Sequence, residues 1–298
     1  MLHGHLSSLT YLKSVIHFQT MPLFQAMTTQ AFQLKVLADL LSGSLKVACF
    51  VISEDGITLC QADNFDNTLI DLVLNAGDFC PYVLKTRKIF LGLNMTHLHK
   101  MLKAVKKKDS LQLTVRTGDS DELEIEQIPP KDGARVTTSF VKIIPQQCVE
   151  TDVPMGYGRP VIVQSQDFHK MAKDMQSIGS KIRVIARDFY IRFECDSGGG
   201  VLKRHVTFGD PKYSARGSDS DSDEDQEEVE DYCQEFATDQ FTRIAKVAGL
   251  STQMKIFFST GLPLKLVSPV GTMGEIRIFI KSLEQIAEEQ ETVEGLDE

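Results

Sequence analysis

The chain has 298 residues, 42% of them hydrophobic and 24% charged, with no apolar run near the length of a membrane span, so it reads as soluble globular material filling one large or two ordinary domains. Its first residues lack the apolar core and small-residue site of a secretory signal, and six scattered cysteines without C-x-x-C or metal-ligand spacing are expected to be reduced thiols inside a cell. The net charge of −9 is uneven: nine of the 41 acids lie in 218–231 and seven follow Lys281, so the remaining 25 face 32 Lys and Arg, a mildly basic body of +7 that permits a nucleic-acid partner.

Residues 1–20 have no periodicity and are expected to be a disordered or loosely attached extension, with Met21 or Met27 as alternative starts of the functional chain. Alternation from Leu23 to Met27 predicts a strand. A helix is expected over 31–41, with Phe32, Val36, Leu37, Leu40 and Leu41 apolar, Lys35 and Asp39 outward, and Gly43 as the stop. A hairpin follows, 46–53 and 57–61 around Glu54-Asp55-Gly56. Further strands fit 68–74, 88–93, 111–116 and 122–127. Between them, 91–103 (L-G-L-N-M-T-H-L-H-K-M-L-K) runs from strand into an amphipathic helix, with Leu98, Met101 and Leu102 on one face and Lys100 and Lys103 on another. Thr96 is its expected hydroxyl cap. Residues 135–143 are β-branched and alternating, a further strand.

Residues 145–160, with Pro145, Pro154, Gly156, Gly158 and Pro160, read as a linker between two compact units. The first half then repeats weakly. A helix over 167–177 turns Phe168, Met171, Ala172 and Met175 inward and Lys170 and Lys173 outward, and a hairpin spans 181–186 and 189–194. Residues 241–246 followed by 254–259 parallel 99–103 followed by 111–115, so that Arg243 and Lys246 match Lys100 and Lys103. Strands are expected at 201–208, 264–267 and 275–281. The acidic stretch 211–231 is an expected mobile loop, in which Ser218, Ser220 and Ser222 resemble targets of an acid-directed kinase, although a solubilising loop is the simpler account. The expected organisation is an extension over 1–21, a domain over 22–144, the linker over 145–160, a second domain over 161–283 and an acidic tail over 284–298.

No catalytic motif is present: no phosphate loop, no nucleophile elbow, no H-E-x-x-H. His97 and His99 are two apart and share no helix face, and Gly198-Gly199-Gly200 precedes a strand, which suits a turn. The acids concentrate in the loop and tail, where they read as solvated. No enzyme, no cofactor and no metal are expected.

The stretch 91–103 closely resembles the signature of the proliferating cell nuclear antigen (PCNA) family of sliding clamps. Residues 48–57 are similar to that family's first hairpin, 167–179 to its second-domain helix, and Leu262-Pro263-Leu264 through Met273-Gly274 to its closing hairpin. The resemblance runs over about 23–283. It implies an α+β DNA clamp fold, two similar domains each with two helices on antiparallel sheets, closing head-to-tail into a homotrimeric ring around double-stranded DNA. Residues 135–143 of one subunit would pair with 201–208 of the next, through Val136, Thr138, Phe140, Val201, Lys203, Val206 and Phe208. Lys35, Lys100, Lys103, Lys107, Lys170, Lys173, Arg243 and Lys246 would meet DNA phosphates without reading bases. A groove for PIP-box-type peptides of DNA polymerase and other clients would use Ala62, Asp66, Val153, Pro154, Pro263, Phe279 and Ile280, and a clamp loader is a further implied partner, in the nucleus or a viral replication compartment, with no membrane involved. Three departures stand out: Lys281-Ser282 replaces the family's Ala-Pro, Ala62 replaces a methionine, and Arg187 stands where many relatives carry a lysine modified by ubiquitin-like proteins. Divergence of the groove, together with the leader and the acidic loop, points to a viral or otherwise unusual lineage. A subunit of a heterotrimeric or checkpoint-type clamp, or a monomeric regulatory DNA-binding protein of the same fold, are the alternatives.

Overall fold

The structure, a computed structural model, describes residues 21–118, 121–131, 133–146, 148–149, 151–210 and 232–294. The first half runs β1 (Pro22–Thr28), α1 (Ala31–Ser42), β2 (Val47–Ser53), β3 (Gly56–Ala62), β4 (Thr68–Asn75), β5 (Tyr82–Leu84), β6 (Lys88–Asn94), α2 (Met95–Leu102), β7 (Ser110–Arg116), β8 (Glu122–Ile128) and β9 (Thr137–Ile144). The second runs β10 (Val161–Gln164), α3 (Ser165–Gln176), β11 (Lys181–Arg187), β12 (Tyr190–Asp196), β13 (Lys203–Gly209), β14 (Tyr232–Ala237), α4 (Thr238–Ile244), β15 (Gln253–Phe257), β16 (Leu264–Pro269) and β17 (Gly274–Ile280), followed by α5 (Leu283–Glu294). Apart from β5 and α5, the two halves repeat one order: strand, helix, three strands, then strand, helix, three strands. The expected duplication is visible in that order.

Every strand pairing is antiparallel, and one ladder fuses the halves. β17 of the second pairs β4 of the first, from Thr68 opposite Ile280 to Leu74 opposite Gly274. The resulting 13-stranded sheet has the order β10-β15-β16-β17-β4-β3-β2-β6-β9-β8-β7-β1-β5, and β13-β12-β11-β14 form a second sheet. Period-2 alternation decides what each strand buries. Along β17, Ile276, Ile278 and Ile280 enter the core cluster, whereas Glu275, Arg277 and Phe279 take the other face.

The helices bury one stripe each: Leu34, Leu37, Ala38 and Leu41 on α1, Leu98 and Leu102 on α2, Phe168, Met171, Ala172 and Met175 on α3, Phe241 and Ile244 on α4. α2 departs from expectation in two details. Its cap is Asn94, whose side chain accepts the His97 N–H at 3.0 Å, because the helix begins one residue before Thr96. Met101 is 40% exposed; the buried stripe of Leu98 and Leu102 continues instead at Val105, past the helix end. α1 also meets a 3-10 turn, Ala245–Gly249, of the second half. A Cβ on Gly249 would sit 2.8 Å from Val36 Cγ1, so only glycine allows this close approach.

Two further corrections concern the chain's chemistry. Cys49 and Cys148 form a disulfide, contrary to the expectation of six thiols; a separation of 99 residues left no spacing signal. The tail expected over 284–298 begins as α5, started by a reciprocal cap in which Ser282 Oγ accepts the Gln285 N–H (3.2 Å) and Gln285 Oε1 accepts the Ser282 N–H (2.9 Å). The acidic stretch 211–231, with Ser218, Ser220 and Ser222, lies outside the described residues, as do residues 1–20.

Gly249→Ala should lower the unfolding free energy by about 1–2 kcal/mol through overpacking against Val36, and adding Val36→Ala should recover much of that loss. Denaturant unfolding of wild type, both single variants and the double variant measures the coupling; strictly additive losses would mean that the contact is not the cause.

Candidate nucleic-acid and partner surfaces

Helices α1–α4 and the 3-10 turn at 245–249 form one layer. α1 packs on α2 and on 245–249, and α3 packs on 245–249 and α4. Their apolar stripes join a single core cluster, which leaves the opposite stripes, and the bases on them, to solvent. The eight expected DNA-contact residues lie on this layer but divide in two. Lys100, Lys103, Lys170 and Lys173 are exposed, and none of them is in an ion pair among the described residues. Lys107 is exposed too, with its ammonium 5.7 Å from the centre of the Phe32 ring.

The other three are held by the protein. Lys35 Nζ donates to the Val105 carbonyl at 3.0 Å and lies over Phe32. Lys246 Nζ meets Asp39 Oδ1 at 2.7 Å, across the two halves, and His99 Nδ1 lies 3.5 Å from the same oxygen. Arg243 pairs with Asp239 one turn earlier at 2.9 Å, stacks on Phe65 at 4.8 Å and approaches Asp63 at 3.8 Å. The Asp63 carboxylate has no exposed surface. One of its oxygens accepts the N–H groups of Asn67 and Thr68 at 2.9 and 3.1 Å; the other has no hydrogen bond and faces the Arg243 guanidinium. Arg243 therefore compensates a buried charge of the other half. Only the Asp239–Arg243 spacing, i to i+4, signalled this in the sequence.

On the far face, the ladders align Ala62, Leu69, Phe279, Lys265 and Phe257 in one row across β3, β4, β17, β16 and β15. Tyr157 of the linker caps that row. Its hydroxyl donates to the Pro263 carbonyl at 2.8 Å, and its ring lies 6.2 Å from Phe279 and 6.3 Å from Phe257. Lys265 Nζ sits among these three rings, 5.0 to 5.5 Å from their centres. Burial raises the Tyr157 phenol well above its ordinary pKa, which keeps it a donor, and burial lowers that of Lys265. Of the expected groove residues, Ala62, Pro263 and Phe279 meet along this row, and Val153 and Pro154 are half-buried on the linker. Asp66 lies in the exposed β3–β4 loop at φ 58°, and Ile280 points into the core. Tyr157 and Lys265 went unremarked in the sequence; an aromatic inside a Gly/Pro-rich linker was the available signal.

The two strands of the expected subunit contact both keep an open edge among the described residues, as do β5, β10 and β14 at the ends of the sheets. β9 pairs β8 along 137–142 and touches β6 only at Ile143 and Ile144; Val136 and Phe140 are 45% and 55% exposed there. β13 pairs only β12. Val201 and Lys203 are exposed at this second edge, while Val206 and Phe208 lean on the core, Phe208 edge-on to Phe193. Arg187 ends β11 on its exposed face, opposite Tyr190. No helix is long and apolar enough to cross a membrane among the described residues.

This architecture has known relatives. Residues 23–144 match the family model for the proliferating cell nuclear antigen N-terminal domain and residues 154–283 that for its C-terminal domain. The proliferating cell nuclear antigens of Chaetomium thermophilum and Dictyostelium discoideum are 24% and 26% identical over 87% of this chain and 97% and 98% of their own lengths. A DNA polymerase sliding clamp of Thermococcus onnurineus is 26% identical over 83% of this chain and 93% of its own. The crystal structure of the Entamoeba histolytica proliferating cell nuclear antigen superposes with a TM-score of 0.73 at 20% identity, over 88% of this chain and 99% of that one. With both domain models matched in order across the two repeated halves, this chain is a divergent member of the proliferating cell nuclear antigen family of DNA polymerase sliding clamps.

Proposed function

We propose that three copies of this chain close into a homotrimeric ring that encircles double-stranded DNA and tethers DNA polymerase and other replication and repair proteins, acting without chemistry of its own. The observation that carries the ring is the internal repeat. β4 follows the β2–β3 hairpin as β13 follows β11–β12, and β9 follows β7–β8 as β17 follows β15–β16. Inside the chain β4 pairs β17; the equivalent strands β13 and β9 each keep an edge open. A head-to-tail contact between them repeats the internal joint, covers both edges and closes by rotation.

In such a ring the helix layer faces the hole. Lys100, Lys103, Lys170 and Lys173 are the proposed phosphate contacts, with Lys107 and Lys35 beside them, while Arg243 and Lys246 chiefly hold the two halves together. Charge without base readout suits a ring that slides. The outer row under Tyr157 is the proposed seat for apolar plugs of client peptides, flanked by Val153, Pro154 and Pro263; Asp66 and Ile280 would act at its margin and from beneath. A loader that opens the ring and a nuclear location complete the proposal.

Light scattering over a concentration series tests the assembly. Chains of 33.3 kDa should give a constant mass of about 100 kDa, and Phe140→Asp, which sets a charge on the open β9 edge, should give a mass near one chain. A wild-type mass near one chain at every concentration would contradict the homotrimer.

The two groups of bases should separate experimentally. Changing Lys100, Lys103, Lys170 and Lys173 together to Ala should weaken duplex DNA binding about tenfold or more at low salt and flatten its salt dependence, with little change in thermal stability. Arg243→Ala should instead cost about 1–3 kcal/mol of stability by leaving Asp63 uncompensated. Equal effects of both variants on stability and binding would refute the division.

A further inference from the structure

Away from the helical face, the structure gathers three sulfurs around one cavity. It measures about 680 Å3 and lies between residues 146, 148–149 and 151–152 and strands β2, β3 and β6, with Cys49, Cys60 and Cys148 among its lining. Cys49 on β2 is bonded to Cys148 on the linker, Cα atoms 5.9 Å apart. Cys60 on β3 is a free thiol whose Sγ lies 3.7 Å from the Thr151 carbonyl. Burial, aided by the Asp71 charge, raises its pKa. It therefore stays protonated and is a poor attacker of the neighbouring disulfide.

Little else holds this part of the linker. Among the described residues, no backbone–backbone hydrogen bond joins 145–160 to either half. Its far end is fixed by Tyr157, and Val149 and Met155 between the two anchors are 77% and 83% exposed. The body side, in contrast, is fixed without the sulfur bond. β2 pairs β6 along its whole length. Where β2 and β3 part, the Gln61 amide spans them, accepting the Cys49 N–H at 3.2 Å and donating to the Val47 carbonyl at 3.0 Å. Opening the disulfide thus releases the linker and spares the strand. Cys148 is half-exposed at the cavity, within reach of a small reductant.

We propose that Cys49–Cys148 is a redox-operated clasp on the linker. A dithiol opens it by exchange: the protein's S–S bond breaks, one S–S bond forms in the reductant, and two electrons and two protons pass to Cys49 and Cys148. Gln146, Cys148, Val149, Thr151 and Asp152 then leave the outer face of β2, β3 and β6 and uncover the cavity; a disulfide oxidant reverses the step. The clasp stands on this geometry alone, apart from the proposed ring and peptide seat.

Hydrogen–deuterium exchange of the full chain with and without dithiothreitol, paired with alkylation of the denatured protein, tests it. Before reduction only Cys60, Cys80, Cys195 and Cys233 should be alkylated, and afterwards all six cysteines. Amides in 146–156 should then exchange about tenfold faster or more, while β2 and β3 stay unchanged. Cys148→Ser should show the fast pattern without reductant, and Cys60→Ser should keep the wild-type response. Six alkylated cysteines before reduction, or linker exchange that ignores a completed reduction, would overturn the clasp.

Discussion

The β4–β17 ladder is the joint on which the rest depends. Seven facing pairs, from Thr68–Ile280 to Leu74–Gly274, turn two repeated halves into one continuous sheet. That continuity brings α1 against the 245–249 turn and sets Asp39 beside Lys246 and Asp63 beside Arg243. It also settles which strand edges are used within the chain and which stay open. A duplicated unit with one internal joint necessarily carries the same joint unfilled at its two ends, and the proposed ring is the arrangement that fills it.

The helical face illustrates how neighbours change the meaning of a charge. Eight bases looked equivalent by type and spacing, yet Arg243 and Lys246 are drawn to acids of the other half while Lys100, Lys103, Lys170 and Lys173 point into water. A solvated lysine gives up little when a phosphate arrives; a guanidinium opposite a carboxylate with no exposed surface must first leave that partner uncompensated. The bases that maintain the shape of the layer and those available to a polyanion are in this way different residues.

Most of the fold was legible because its signals are local. Apolar spacing announced α1 and α3, and β-branched alternation announced β9 and the hairpins, within a residue or two of their bounds. Much of what escaped depends on pairing at long range or on brevity, although β14, six residues directly after the acidic stretch, was missed as well. β5 and β10 have three and four residues, too few for a period. The Cys49–Cys148 bond and the Lys246–Asp39 pair join residues 99 and 207 apart, which no window along the chain contains. Thr96 lost its expected role because Asn94, one residue before the helix, already supplied the cap. α5 was the avoidable miss, since Ser282 and Gln285 stand at capping-box spacing ahead of Ile286. On the outer face, sequence resemblance named Ala62, Pro263 and Phe279 but not Tyr157, because what Tyr157 covers is set by the register of five strands.

The central claim, that the protein holds DNA by enclosing it, is tested most directly by topology. The chain would be loaded with a clamp loader onto a nicked circular duplex, freed of unbound protein, and followed through a single restriction cut. Enclosure predicts that protein stays on the circle in moderate salt and is lost once the circle is made linear, unless the ends are blocked. Equal retention on circular and linear DNA, or loss from both on adding salt, would contradict it.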